Sequence, residues 1–226
     1  MSGDFVIRPA RLFPDRRAAG ATLADELEEL REREPVVVGL ARGGVEVAAE
    51  VARRLGAPLD VVAVRKIGHP WQPEYGIGAV TPGDGVYVRG PDGLTEEELA
   101  EAVADAKMRA EALDHRLHAL HEPVELAQRT VVVVDDGLAT GATMLAAIRW
   151  AKAAGAARVI AAVPVAAVQS LELVQREADV VVCPHPLSPF FAVGLWYANF
   201  DQVADEEVVE LLAESRRGLE ASVPAS

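Results

Sequence analysis

Val131-Val132-Val133-Val134-Asp135-Asp136-Gly137-Leu138-Ala139-Thr140-Gly141-Ala142-Thr143 is the stretch on which the reading of this chain turns. Four consecutive β-branched apolar residues without polar alternation predict a strand buried on both faces, as in a parallel sheet. Two adjacent carboxylates close the strand, a short turn of small and hydroxyl residues follows, and an apolar-periodic helix begins with Met144, Leu145 and Ile148. Strand, compact turn and helix start together aim several backbone N–H groups at one point, with the positive end of the helix dipole behind them. Such a turn suits a phosphate. A carboxylate cannot accept a phosphate's negative oxygens, so Asp135 and Asp136 face another part of the same ligand. Hydroxyl groups or a hard cation such as magnesium are their natural partners. A phosphate with vicinal hydroxyls nearby describes a ribose 5-phosphate. The chain contains neither Gly-x-x-x-x-Gly-Lys-Ser/Thr nor Gly-x-Gly-x-x-Gly, which leaves a P-loop and a dinucleotide fingerprint unsupported.

These residues resemble the phosphoribosyl-pyrophosphate (PRPP) motif of type I phosphoribosyltransferases. The shared pattern is four apolar residues (Val131 to Val134), two acids (Asp135-Asp136) and a loop ending Thr140-Gly141-Ala142-Thr143. Gly137 stands where a larger apolar residue is usual and Ala142 where a second glycine is common; neither change removes a ligand-binding side chain. The resemblance covers most of residues 14–210. It implies a single α/β domain over residues 1–226, with a central, mostly parallel sheet flanked by helices, a flap insertion at about 67–122 and a small C-terminal hood at about 184–203. It also implies Mg2+-dependent transfer of the 5-phosphoribosyl group from PRPP to a nitrogenous base or amine, with release of pyrophosphate, by a homo-oligomer, a dimer. In that scheme Ala139, Thr140, Gly141, Ala142 and Thr143 hold the 5-phosphate. Asp135 and Asp136 orient the ribose hydroxyls and contact the metal, directly or indirectly. Arg42, Gly43, Gly44 and Lys66 hold the pyrophosphate, and Lys66 joins the acid pair as a catalytic group. Two readings from other classes stay open beside this one. One is a PRPP- or nucleotide-sensing regulator with little or no catalysis. The other is a metal-dependent phosphosugar hydrolase, for which no further set of His and carboxylate ligands is recognisable.

The rest of the composition bounds these readings. At 226 residues the chain is long enough for one α/β domain with a substantial core. A net charge of −13 and a pI near 4.8 argue against a general nucleic-acid or anionic-membrane surface, so any anion site is a local cluster of amides and basic side chains. The lone Cys183 excludes an intrachain disulfide framework and fits a reducing compartment; it reads as a small core residue. No signal pattern opens the chain, and the apolar run 159–168 is too short to span a bilayer, which together predict a soluble, cytoplasmic protein.

In chain order, residues 15–33 predict a helix capped by Asp15, with Ala19, Leu23, Leu27 and Leu30 at helical spacing. Arg16-Arg17 reads most simply as its solvated face, with an outer role near the site as the alternative. Residues 36–40 predict a buried strand, followed by Ala41-Arg42-Gly43-Gly44 and a helix over 45–55 that Gly56 ends. Here the glycines allow close approach to an anion. A strand over 59–64 runs into Arg65-Lys66, a basic pair at the carboxyl end of a parallel strand, where open α/β sheets bind ligands. The segment 68–93 holds turn formers, two strand-like pieces (77–80 and 85–88) and Glu74 and Tyr75, either of which could face the site or be structural. Thr95-Glu96-Glu97-Glu98 resembles a capping box opening a charged helix over 95–120, with a stripe of Leu99, Val103, Ala106, Ala110, Leu113 and Leu117. His115, His118 and His121 read as its solvated face rather than as metal ligands, and Lys107 and Arg109 stay unassigned. Further strands are predicted over 158–163 and 179–183, with helices over 166–177 and 206–217 and a frayed tail from 218. More than half of the chain's Phe, Trp and Tyr lies either in 190–201 or around Trp71. Phe191-Ala192-Val193-Gly194 is similar to the start of the base-stacking hood of purine-type phosphoribosyltransferases, which makes Phe191, Trp196 and Tyr197 base-stacking candidates; a hydrophobic plug under the sheet edge is the alternative.

Overall fold

The computed structural model describes residues 11–90, 92–120 and 122–222. Its centre is a five-stranded, wholly parallel sheet in the order β2-β1-β6-β7-β9. The strands are β1 (Val36–Ala41), β2 (Leu59–Ala63), β6 (Thr130–Val134), β7 (Arg158–Ala162) and β9 (Val180–Val182). The α/β class with a central parallel sheet is therefore as expected. The lack of polar alternation in β6 has its cause in the two layers that cover it. Val132 and Val134 pack with α1 (Arg16–Asp25), α2 (Gly43–Leu55) and α6 (Asp205–Ser222), while Val131 and Val133 pack with α4 (Ala142–Ala153). All four valines are fully buried, each burial contributing roughly 1.5–3 kcal/mol.

Residues 65–117 add a smaller unit. Strands β3 (Arg65–His69), β4 (Gln72–Val80) and β5 (Val86–Val88) form an antiparallel sheet in the order β3-β4-β5. It packs through Ile67, Ile77 and Val80 on Ala106 and Ala110 of α3 (Glu96–Leu117). The Thr95/Glu98 capping box is present, and the last two members of the predicted stripe, Leu113 and Leu117, continue into the main core. Strand β8 (Val165–Ala167) pairs in parallel with β10 (His185–Leu187). Beyond it, Phe13, Ala19, Val165 and Tyr197 form a small core against which Phe190, Val193, Trp196 and Phe200 pack.

Several boundaries differ from expectation for identifiable reasons. The first helix is capped by Asp15 as predicted but ends at Asp25, and residues 28–33 tighten into a 3-10 turn. No residue of that turn is fully buried, and Leu30 is its one apolar side chain packed against the core, too little apolar surface to hold α geometry; Pro35 stops it. The helix expected over 166–177 is shortened to α5 (Val168–Val174), because Val165–Ala167 is drawn into the pair with β10. The expected frayed tail is instead helical through Gly218 to Ser222; residues 223–226 lie outside the described residues. Among the described residues no helix is long and apolar enough to cross a membrane.

Candidate active site

In the sheet order, β1 leads to β2 on one side and β6 leads to β7 on the other, so the direction of winding reverses between β1 and β6. A crevice at the carboxyl ends of two such strands is where open α/β sheets hold ligands. Here it is a cleft of about 430 Å³ whose walls include Arg65, Lys66, Asp135, Asp136, Ala139, Thr140, Gly141, Thr143 and Val193. Residues predicted from three separate stretches of sequence thus meet in one cavity.

The phosphate-type turn runs from β6 into α4. Gly141 caps the helix in the left-handed region (φ 82°), and among the described residues no side-chain cap bonds the first turn. The first helical bond is from Leu145 N–H to the Gly141 carbonyl, at 2.9 Å. These free amides and the helix dipole favour an anion. The turn is braced from behind: Leu138 N–H donates to the Val165 carbonyl at 2.9 Å, and Ser170 Oγ donates to the Ala139 carbonyl at 2.6 Å.

The acid pair lines the same cleft. Asp135 Oδ1 accepts the Asp136 N–H at 2.9 Å, and Thr143 Oγ1 reaches Asp135 Oδ2 at 3.5 Å. Burial raises both carboxyls above the usual carboxylate range, reinforced at Asp135 by the neighbouring Asp136 charge and opposed at both by Arg16. Arg16 Nε donates to Asp136 Oδ2 at 2.9 Å, and its Nη1 donates to Glu46 Oε2 at 3.2 Å and to the Asp201 carbonyl at 2.8 Å. Its guanidinium carbon lies 3.9 Å from the centre of the Phe200 ring. The reading of Arg16-Arg17 as a solvated face is thereby corrected for one residue and upheld for the other: Arg16 is 7% exposed, whereas the Arg17 side chain is 80% exposed.

The turn after β1 crosses close against the acid pair. A Cβ on Gly43 would lie 2.2 Å from Asp136 Oδ2, and one on Gly44 would lie 2.7 Å from the Val134 carbonyl oxygen. These glycines are required by close approach rather than by unusual φ. Arg42 is placed differently from expectation. Its guanidinium is not among the groups lining the cleft; Nη1 pairs with Asp205 Oδ1 at 3.3 Å. The cations that do line the cleft are Lys66 and the half-buried Arg65 at the start of β3. Burial, and after it the nearby Arg42, lowers the pKa of Arg65. Arg109 lines a neighbouring recess with Trp71 and is paired with Asp105.

The three stacking candidates separate. Phe191 is 77% exposed, so its ring is free to meet a ligand. Tyr197 is 2% exposed, packed on Phe13 and Phe200, and its hydroxyl donates to the Asp136 carbonyl at 2.5 Å. Its ring is thus spent on the small core, and the residue braces the acid pair instead of stacking on a base. Trp196 packs near Phe190, with ring centres 6.1 Å apart. Gly137, where a larger residue is usual, makes room for Val193: a Cβ there would lie 2.6 Å from Val193 Cγ1.

Outside the cleft, His118 is also corrected. It is not on a solvated face but pairs through Nε2 with Asp60 Oδ1 at 3.1 Å, tying α3 to β2. His121 lies outside the described residues. Cys183 packs at the edge of the main core, and burial pushes its thiol up to about 11, far from a nucleophile's range. Tyr75 pairs with Arg89, and Glu74 is exposed.

Known proteins decide what this arrangement belongs to. The phosphoribosyl transferase domain family matches residues 14–198. The chain belongs to the phosphoribosyltransferase family. Within it, the chain is similar to a candidate phosphoribosyl transferase of Mycobacterium tuberculosis, with 43% identity over 212 residues. That match covers 92% of this chain and 48% of the relative, so this chain spans about half the relative's length. It is also 32% identical over 177 residues to an adenine phosphoribosyltransferase of Mycobacterium marinum, covering 78% of this chain and 77% of that one. Among solved structures, a Thermus thermophilus protein has a TM-score of 0.77 and 42% identity, covering 89% of this chain and 98% of that one.

Sequence reasoning missed Asp205 and the bracing Ser170, and kept a role near the site for Arg16 only as the alternative. Arg16 carried a signal, since it stands three and seven residues before Ala19 and Leu23, on the same helical stripe.

Proposed function

We propose that this family member transfers the 5-phosphoribosyl group of PRPP to a nitrogenous base or amine, releasing pyrophosphate. The observation that carries the proposal is the spacing of charge in one cleft. The amide-rich turn (Ala139, Thr140, Gly141 and Thr143), the cations Arg65 and Lys66, and the carboxylates Asp135 and Asp136 all line that one cavity. PRPP has the matching pattern of 5-phosphate, ribose hydroxyls and diphosphate. In the reaction the bond from the anomeric carbon to the diphosphate oxygen breaks and a bond to the acceptor nitrogen forms, with the bonding pair leaving on pyrophosphate and the acceptor losing a proton. Lys66 and Arg65 stabilise the charge that grows on the leaving group. Asp135 and Asp136 hold the ribose hydroxyls and favour positive charge at the anomeric carbon, while Arg16 and Tyr197 hold Asp136.

Mg2+ fits this site as an ion shared with the substrate. Among the described residues no group of three or more His, Cys, Asp or Glu side chains could enclose a metal. Magnesium in phosphate sites is commonly held by one or two carboxylates plus substrate oxygens, a set that Asp135 and Asp136 can complete. When bound, the ion would neutralise diphosphate oxygens and so improve the leaving group. Val193, seated over Gly137, and the exposed Phe191 offer apolar surface for an acceptor. The M. marinum relative's name, an adenine phosphoribosyltransferase, makes purines the first acceptors to try. The proposal places the protein in the cytoplasm, in keeping with its single cysteine.

The test is pyrophosphate release from PRPP with Mg2+ across purines, pyrimidines and simple amines, with Asp136→Asn as the control. Release that needs one acceptor and disappears in a folded Asp136→Asn variant is the expected result. Full activity in that variant would overturn the assignment. PRPP binding without release under any acceptor would favour a sensor instead.

A further inference from the structure

Beside the cleft, where the ends of β1 and β2 meet the start of α6, several arginines gather around one carboxylate. Asp205 accepts from Arg42 Nη1 at 3.3 Å through Oδ1 and from Arg116 Nε at 3.1 Å through Oδ2. The two arginines come from different parts of the fold, Arg42 from the turn after β1 and Arg116 from α3. Arg65 shares the same field: Arg42, Arg116 and Arg109 disfavour its charge and Asp205 favours it. This is a concentration of positive charge in a chain whose net charge is −13. The described residues place no carboxylate in ion-pair contact with Arg65, although it is half-buried in the cleft wall.

We propose that Asp205 stands in for the diphosphate: it holds Arg42 and Arg116 until ligand binds, and a bound diphosphate then takes Arg42 from it. The inference rests on the phosphoribosyl-transfer reading. Its physical basis is competition between anions for a guanidinium. A carboxylate offers one negative charge, whereas a diphosphate offers several and can engage the same planar fork. Arg42 follows Ala41, which lines the cleft, and its side chain is partly exposed, which leaves it room to turn between Asp205 and the cleft. Before binding, Asp205 relieves the repulsion among Arg42, Arg65 and Arg116. After transfer it competes with pyrophosphate for Arg42, which weakens retention of the product.

The experiment is calorimetric titration with inorganic pyrophosphate of the wild type, Asp205→Asn, Arg42→Gln and the double variant, each checked by thermal melting. Asp205→Asn is expected to bind pyrophosphate about fivefold more tightly, the scale of one ion pair partly open to solvent. The gain should vanish when Arg42 is also replaced. Equal or weaker binding by folded Asp205→Asn would overturn the proposal, weaker binding making Asp205 a positioning residue for Arg42. A structure of the unaltered protein with pyrophosphate bound supplies a test that needs no variant. Arg42 on the ligand supports the exchange, and Arg42 still on Asp205 overturns it. Wild-type protein that bound neither pyrophosphate nor PRPP would remove the phosphoribosyl-transfer reading itself, a result distinct from failure of the exchange alone.

Discussion

The two turns that meet at the switch point are built from different materials. The turn from β6 into α4 presents backbone amides, held by its own strand and helix and by Ser170 behind it. The turn from β1 into α2 presents two glycines to the acid pair and sends its one charged side chain away, to Asp205. Cations facing the cleft come instead from β3, outside the main sheet. A site made of main chain is fixed once the fold is fixed. One made of long side chains depends on which partner each charge finds, so the second half is the more adjustable.

The most severe way to break this arrangement is to fill the space where the two turns touch. Gly43→Ala would drive a methyl group to within 2.2 Å of Asp136 Oδ2 and 3.0 Å of Arg16 Nε. Displacing the acid pair by even an ångström should lower kcat/KM by about 100-fold or more, measured in the pyrophosphate-release assay. A near-normal rate would show that the acid pair tolerates movement and would undo the contrast between the turns.

Arg16→Gln should have the next largest effect. It leaves Asp136 and Glu46 without their shared cation, costing about 3 kcal/mol of stability by chemical denaturation. It should also lower kcat by about tenfold or more, with a smaller change in KM for PRPP, because Arg16 acts through Asp136. Arg16→Lys should recover part of the rate by keeping the charge; a purely structural role would restore stability without moving kcat.

The smallest effect concerns the side-chain tie between α3 and β2. Burial works against the charge of His118, but hydrogen bonds and charge from Asp114 and Asp60 outweigh it and hold its pKa at about 10. Since an unfolded histidine titrates near 6.5, this pair's stabilisation is complete below that pH and is lost as pH rises towards about 10. His118→Gln should therefore cost roughly 2 kcal/mol at pH 6 and little above pH 10, read from denaturation curves at both values. A gap independent of pH would mean that packing, not charge, makes the tie.

How much was legible in the sequence follows the same division. The unalternated valines of β6, the small-residue turn, the Gly56 end of α2 and the Thr95 capping box depend on local chemistry, and the structure places each as predicted. The partners of long charged side chains depend on distant residues. Asp136 lies 120 positions from Arg16, and Asp205 lies 163 from Arg42. Asp60 was readable as a carboxylate inside the apolar run Leu59-Asp60-Val61-Val62, which requires a buried partner, but nothing local pointed to His118. Aromatic clustering likewise marked residues 190–201 without distinguishing the exposed Phe191 from the packed Tyr197, because both packing and stacking call for flat apolar rings.

The proposed function requires separate places in one cleft for a 5-phosphate and a diphosphate. Competition titration with ribose 5-phosphate and pyrophosphate tests it most directly. The two are expected to bind together in the presence of Mg2+, and each to displace PRPP. Mutual exclusion of the two, or failure of either to displace PRPP, would contradict it.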